Sequence, residues 1–194
     1  PVLGAVAEDE RLAVMERHLG LMPCAELDDA QQRVQTIGRL VGEQVALDRV
    51  RALAASAWPG VEASVMTVTA LRQPDLRIGI ARDRAFGFYY PDDLAALQAA
   101  GAELVPIDTL HDTQLPAIDG LFIGGGFPES CMEALEANTS LRHAVRVAIE
   151  AGLPTYAECG GLMYLARSIR WHDRVAQMVG AIPGDAVMHE RPVG

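Results

Sequence analysis

The chain has 194 residues, half of them hydrophobic and only 5% aromatic, so its core must be built mostly from Ala, Val, Leu and Ile, as in layered helices and parallel strands. Sixteen basic residues stand against 26 acidic ones, a net charge of −10, which excludes a general role on nucleic acid or an acidic membrane surface, because phosphate binding needs a basic face. No apolar run is long enough to span a bilayer. No secretory or basic targeting pattern opens at Pro1. The three cysteines, Cys24, Cys131 and Cys159, form no CxxC or zinc spacing, a usage that suits a reducing cytoplasmic setting.

In chain order, Val2-Leu3-Gly4-Ala5-Val6 reads as a buried strand, followed by the charged stretch Glu8-Asp9-Glu10-Arg11. From Leu27 to Ala57 the pattern is helical, with Asp28 as N-cap and Val34, Ile37, Val41, Val45 and Leu47 near helical spacing. Gly38 and Gly42 argue against one straight helix. Trp58-Pro59-Gly60 stops it. The stretch from Gln73 to Asp75 reads as a linker. This places a first region at 1–72 and a second at 75–194.

Beyond the linker the pattern alternates. Leu76–Ala81 is a strand, and Pro91–Ala100 a helix with proline in its first turn and Gly101 closing it. Leu104–Ile107 and Leu121–Ile123 are further strands. Leu141, Ala144, Val145, Ala148 and Ile149 mark an amphipathic helix that Gly152 ends. Leu153–Ala157 is a strand and Gly161–Ala166 begins a helix. Strands alternating with helices predict an α/β fold, an open and mostly parallel sheet with helices on both faces. Ligands of such sheets bind beyond the carboxyl ends of the strands.

Three segments fall on that edge. In Pro154-Thr155-Tyr156-Ala157-Glu158-Cys159-Gly160-Gly161-Leu162-Met163, a cysteine stands between strand and helix with small residues around it. That is the sequence form of a nucleophile elbow. A helix N-terminus favours the thiolate, the attacking species, and the Gly160 N–H could help hold a tetrahedral oxyanion. An arbitrary free cysteine is more often simply buried; the elbow context favours catalysis.

Gly124-Gly125-Gly126-Phe127-Pro128-Glu129 would expose backbone N–H groups opposite Cys159, although a tight strand-to-helix turn explains the glycines equally well. No lysine follows them, which argues against a P-loop. In Arg82-Asp83-Arg84-Ala85-Phe86-Gly87-Phe88-Tyr89-Tyr90-Pro91, Phe86, Phe88, Tyr89 and Tyr90 could form a flat wall for a large planar ligand or pack onto the loop's own helix; both remain open. His18, His111, His143, His172 and His189 offer no obvious base. Cys24 and Cys131 lack an elbow and read as structural. No metal site is expected.

Taken together, RDRAFGFYYPDDL (82–94), GAELVPI (101–107), DGLFIGGGFPE (119–129) and YAECGGLMYL (156–165), with LGAV and ERHLGL (16–21) upstream, resemble the cobyrinate and hydrogenobyrinate a,c-diamide synthases. These are class I glutamine amidotransferases of the cobyric acid synthase type. The resemblance implies that Cys159 attacks the glutamine side-chain amide and that the Gly126 and Gly160 backbone amides form the oxyanion hole. It also implies that the ammonia amidates the a and c acetates of a corrinoid in cobalamin biosynthesis, in a C–N ligase reaction dependent on ATP and Mg²⁺. Residues 1–72 then match the end of a dethiobiotin synthetase-like amidoligase domain, and 75–194 an amidotransferase domain.

Asp93 departs from the Asn usual there. The phosphate loop would lie upstream of Pro1 and the catalytic histidine beyond Gly194. The chain is therefore expected to be a piece of a longer protein, binding neither ATP nor Mg²⁺ by itself. L-glutamine and a corrinoid are the expected partners, with no nucleic acid and no membrane; self-association stays open. The alternatives are amidation of another tetrapyrrole such as nickel-sirohydrochlorin, or a non-catalytic module that keeps the elbow only as architecture.

Overall fold

A computed structural model describes residues 2–14, 16–17, 20–21, 29–57 and 74–189. The chain separates into two compact units, Pro1–Thr67 and Val68–Gly194.

The first unit pairs β1 (Glu16–Arg17) with β2 (Gly20–Leu21) and carries α1 (Ala30–Gln44) and α2 (Leu47–Ala57). The expected buried strand at Val2–Val6 is not formed. Val2 is 87% exposed, and only a single bridge joins Gly4 to Val45. That bridge also sets where the helical stretch breaks. Val45 turns extended, and Ala46 N donates to Leu3 O at 2.8 Å, so the interruption falls after Gln44 rather than at Gly38 or Gly42. Asp29 occupies the N-cap position without a side-chain bond. Asp28, Trp58-Pro59-Gly60 and Gln73 lie outside the described residues.

The second unit is built on four parallel strands: β3 (Leu76–Ala81), β5 (Ala102–Ile107), β6 (Gly120–Ile123) and β8 (Thr155–Ala157). Their order is β5-β3-β6-β8. A short antiparallel ribbon joins β4 (Phe86–Phe88) to β7 (Gly125–Gly126) above the sheet's carboxyl edge. The helices are α3 (Pro91–Ala99), α4 (Met132–Ala137), α5 (Thr139–Glu150) and α6 (Gly160–Leu165). Asn138 caps α5 by accepting from Leu141 N, and the glycines that follow α3 and α5 take φ of +100° and +98°, a conformation open to a residue without Cβ.

Strand alternation sorts the side chains. Ala81, Leu121 and Ile123 point into the main core with Leu141 and Val145 of α5 and Tyr164 and Leu165 of α6. Ile78, Phe122 and Tyr156 face the other way, where Ala96 and Leu97 of α3 help to line a groove of about 740 Å³. A second sheet follows α6: β9 (Ala166–Trp171) lies between β10 (Arg174–Gln177) and β11 (Ile182–Val187), antiparallel to the first and parallel to the second. The expected helix from Gly161 thus ends at Leu165, because Ala166 turns extended and β9 begins.

Candidate active site

The turn from β8 into α6 is a strand-to-helix elbow. Cys159 sits at its apex with φ +49° and ψ −113°, a region that costs a non-glycine residue about 1–3 kcal/mol. Its thiol is exposed. Main chain holds the turn on both sides. Glu158 N donates to Ile123 O at 3.1 Å, and Gly161 N lies within bonding distance of both Glu158 O and Gly124 O. No side chain fits at Gly161, where a Cβ would stand 2.3 Å from Ile123 O. The glycines after the cysteine thus let the helix start against β6, and the residue before them is left on top of the sheet.

The glycine strand runs beside this turn. A Cβ on Gly160 would meet Gly126 N at 3.0 Å and Gly126 O at 2.9 Å, and one on Gly125 would lie 3.7 Å from Cys159 Cβ. The structure therefore brings Cys159, Gly126 and Gly160 to one place, main chain against main chain. Gly160 opens α6, and the first N–H groups of a helix have no acceptor within it. An exposed thiol beside such amides is an arrangement suited to acyl transfer.

The loop 82–90 divides its four aromatics between the two readings left open, packing and an exposed wall. Phe86 is fully buried and packs on Tyr164 with ring centres 5.4 Å apart, so it cannot touch a ligand. Tyr89 is half-buried, with its hydroxyl engaged by main chain. Only Phe88 and Tyr90, 44% and 73% exposed, present rings to solvent. Phe88 also stands edge-on to Phe127.

Asp83, which sequence reading passed over, pins the loop. One carboxylate oxygen accepts from Ala85 N and Phe86 N, and the other accepts from Thr109 N and Thr109 Oγ1, both at 2.6 Å. Burial raises its pKa above the ordinary carboxylate value, while these hydrogen bonds pull the other way. An Asp two residues before the N–H that it caps was the available signal. Glu158, next to the thiol, accepts from the Tyr156 hydroxyl at 3.1 Å.

No histidine among the described residues hydrogen-bonds to Cys159. His111 is held by Asp108, with Nδ1 2.9 Å from Oδ2. His143 is exposed on α5, His172 forms the β9–β10 turn at φ +51°, and His189 is exposed just after β11. Cys131 is half-buried at the start of α4. His18 and Cys24 lie outside the described residues. The sequence holds no GxxxxGK[ST] and indeed no lysine, and the described residues contain no acidic, His or Cys cluster able to hold a metal ion. No helix among them is long and apolar enough to cross a membrane.

The chain is similar to known proteins. The family model for the CobB/CobQ-like glutamine amidotransferase domain matches residues 77–194. Over the full chain, 43% of aligned residues are identical to the cobyrinate a,c-diamide synthase of Magnetococcus marinus, and 40% to that of Methanosarcina acetivorans. Over 98% of the chain, 39% are identical to the enzyme of Priestia megaterium. The chain spans 42–43% of the length of these relatives. The matched region contains the parallel sheet, the glycine strand and the cysteine elbow, and with them the chain belongs to the family of CobB/CobQ-like glutamine amidotransferase domains.

Proposed function

We propose that the second unit hydrolyses glutamine through Cys159. The carrying observation is the exposed, strained thiol beside the Gly126 and Gly160 main chain. The thiolate adds to the side-chain amide carbon, and the negative charge that develops on oxygen is held by the two backbone N–H groups. Collapse breaks the C–N bond. Protonated nitrogen leaves as ammonia and a glutamyl thioester remains, which water then hydrolyses to glutamate. A general base takes up the thiol proton and returns it to the leaving nitrogen.

The names of the relatives favour a corrinoid as acceptor, with the ammonia amidating the a and c acetates of cobyrinate or hydrogenobyrinate in an ATP- and Mg²⁺-dependent ligase step. Within the loop 82–90, Phe88 and Tyr90 are the exposed rings left to contact a large substrate.

The test is Cys159→Ser in the full-length protein. Glutamine-dependent diamide formation should fall at least ~1,000-fold while ammonia-dependent formation persists. Undiminished glutamine-dependent turnover would exclude the cysteine mechanism. Amidation of nickel-sirohydrochlorin alone would replace the proposed acceptor.

A further inference from the structure

Gly124 is where the aromatic loop and the elbow meet. Its carbonyl accepts from Gly161 N of α6 at 3.1 Å, and its own N–H donates to the Tyr89 hydroxyl at 3.0 Å. That hydroxyl donates in turn to Ala81 O, at the end of β3, at 2.5 Å. The ring stands edge-on to Phe122 with centres 5.1 Å apart and leaves no room at Gly124, where a Cβ would lie 2.8 Å from Tyr89 Cε1. One phenol thus ties the ends of two sheet strands to the peptide that is itself bonded to the elbow helix. Burial pushes the phenol's pKa up to about 12, so it remains a neutral group able to donate and accept at once.

We propose that Tyr89 is a positioning residue for the oxyanion site, holding Gly124 so that the Gly126 N–H passes Cys159 at the right height. The inference rests on the glutamine-hydrolysing reading above. A backbone donor helps the transition state only where the oxyanion will form, and losing one outright costs about 100- to 1,000-fold. A displaced donor should cost less, about 10- to 100-fold in kcat. Ground-state glutamine makes little use of it, so KM should hold within about two-fold.

Tyr89→Phe in the full-length protein tests this, because it keeps the ring and removes only the hydroxyl. Three rates are compared: kcat and KM for glutamine hydrolysis, and the rate at which iodoacetamide alkylates Cys159. Alkylation displaces iodide directly at carbon and forms no oxyanion, so it reports whether the elbow itself is intact. The expected result is the stated loss of kcat per alkylatable thiol, with KM and alkylation unchanged. A kcat within about two-fold of wild type overturns the proposal, as does a parallel fall in alkylation, which would make Tyr89 merely structural.

If the Phe variant does not fold, p-aminophenylalanine at position 89 decides. It keeps a donor for Ala81 O and is a poor acceptor for Gly124 N–H, so reduced kcat at constant KM supports the proposal and full kcat overturns it. The Cys159→Ser protein is assayed alongside. Glutamine turnover there would remove the underlying reading, an outcome separate from anything seen in the Tyr89 variants.

Discussion

Two loops leave the same edge of the parallel sheet, and they are fastened by different means. The elbow after β8 is tied main chain to main chain, by Glu158 N to Ile123 O and Gly161 N to Gly124 O. The loop after β3 shares main-chain bonds, such as Arg82 N to Ile107 O and Phe127 N to Ala85 O, but adds two side chains, Asp83 to Thr109, Ala85 and Phe86, and Tyr89 to Ala81 and Gly124. The first kind of fastening demands small residues and tolerates almost nothing else. The second depends on individual polar atoms that other residue types could partly replace.

That difference can be broken at the point where the loops touch. A methyl group at Gly126 would stand 1.9 Å from Ala85 O, against backbone that cannot swing aside. Gly126→Ala should therefore cost at least ~3 kcal/mol and abolish the proposed glutamine hydrolysis, as read by urea unfolding and turnover. Asp83→Ala comes next. It leaves the N–H groups of Ala85, Phe86 and Thr109 without their acceptor, and a loss of ~2 kcal/mol, or roughly 4–8 °C in Tm, is expected.

Cys159→Gly should act in the opposite direction. It relieves the apex conformation at φ +49° and should stabilise the protein by ~1 kcal/mol while removing activity. If thermal melts show no gain, the elbow holds no strain.

The pH dependence sharpens the contrast. Because burial raises the folded pKa of Asp83 above its unfolded value, the associated stability is present at low pH and is lost as pH rises through the folded pKa. Asp185 behaves oppositely. Arg167, and then Ser168, hold its carboxyl below the usual range, so its contribution is present above an unfolded pKa of roughly 4 and is lost as pH falls. Urea midpoints between about pH 3 and 6 should show Asp83→Asn gaining on wild type as pH rises and Asp185→Asn losing. The smallest effect belongs to the exposed Arg146–Glu150 pair at 2.8 Å on α5. Glu150→Gln should move stability by less than ~0.5 kcal/mol.

The same contrast explains what was legible in the sequence. The main-chain site could be read because its physical requirement is compositional: an apolar strand, then glycines, then a helix, as at Leu121–Gly126 and Thr155–Gly161. The side-chain fastening could not, since Asp83 and Tyr89 belong to residue types with many surface roles and only tertiary contacts select one. The aromatic cluster could be read as a wall or as packing, and it is divided: Phe86 turns into the core while Tyr90 stays in solvent. The β4–β7 ribbon is too short for periodicity to register. The second sheet was hidden because Ala166–Trp171 follows directly on a helix with no turn residue between them. Near the amino terminus, the single Gly4–Val45 bridge overrode a helical pattern that continued through it.

The close apposition of Gly126, Gly160 and Gly161 to neighbouring backbone divides the site by its capacity for change. The part that faces the thiol is made of peptide groups, and peptide groups cannot be varied by mutation. A library at these glycines would return mostly unfolded chains. Phe88, Tyr90 and Tyr156, at 44%, 73% and 59% exposure, carry side chains that open to solvent. Any attempt to redirect this domain toward another substrate should be concentrated on that rim, with the floor left as it is.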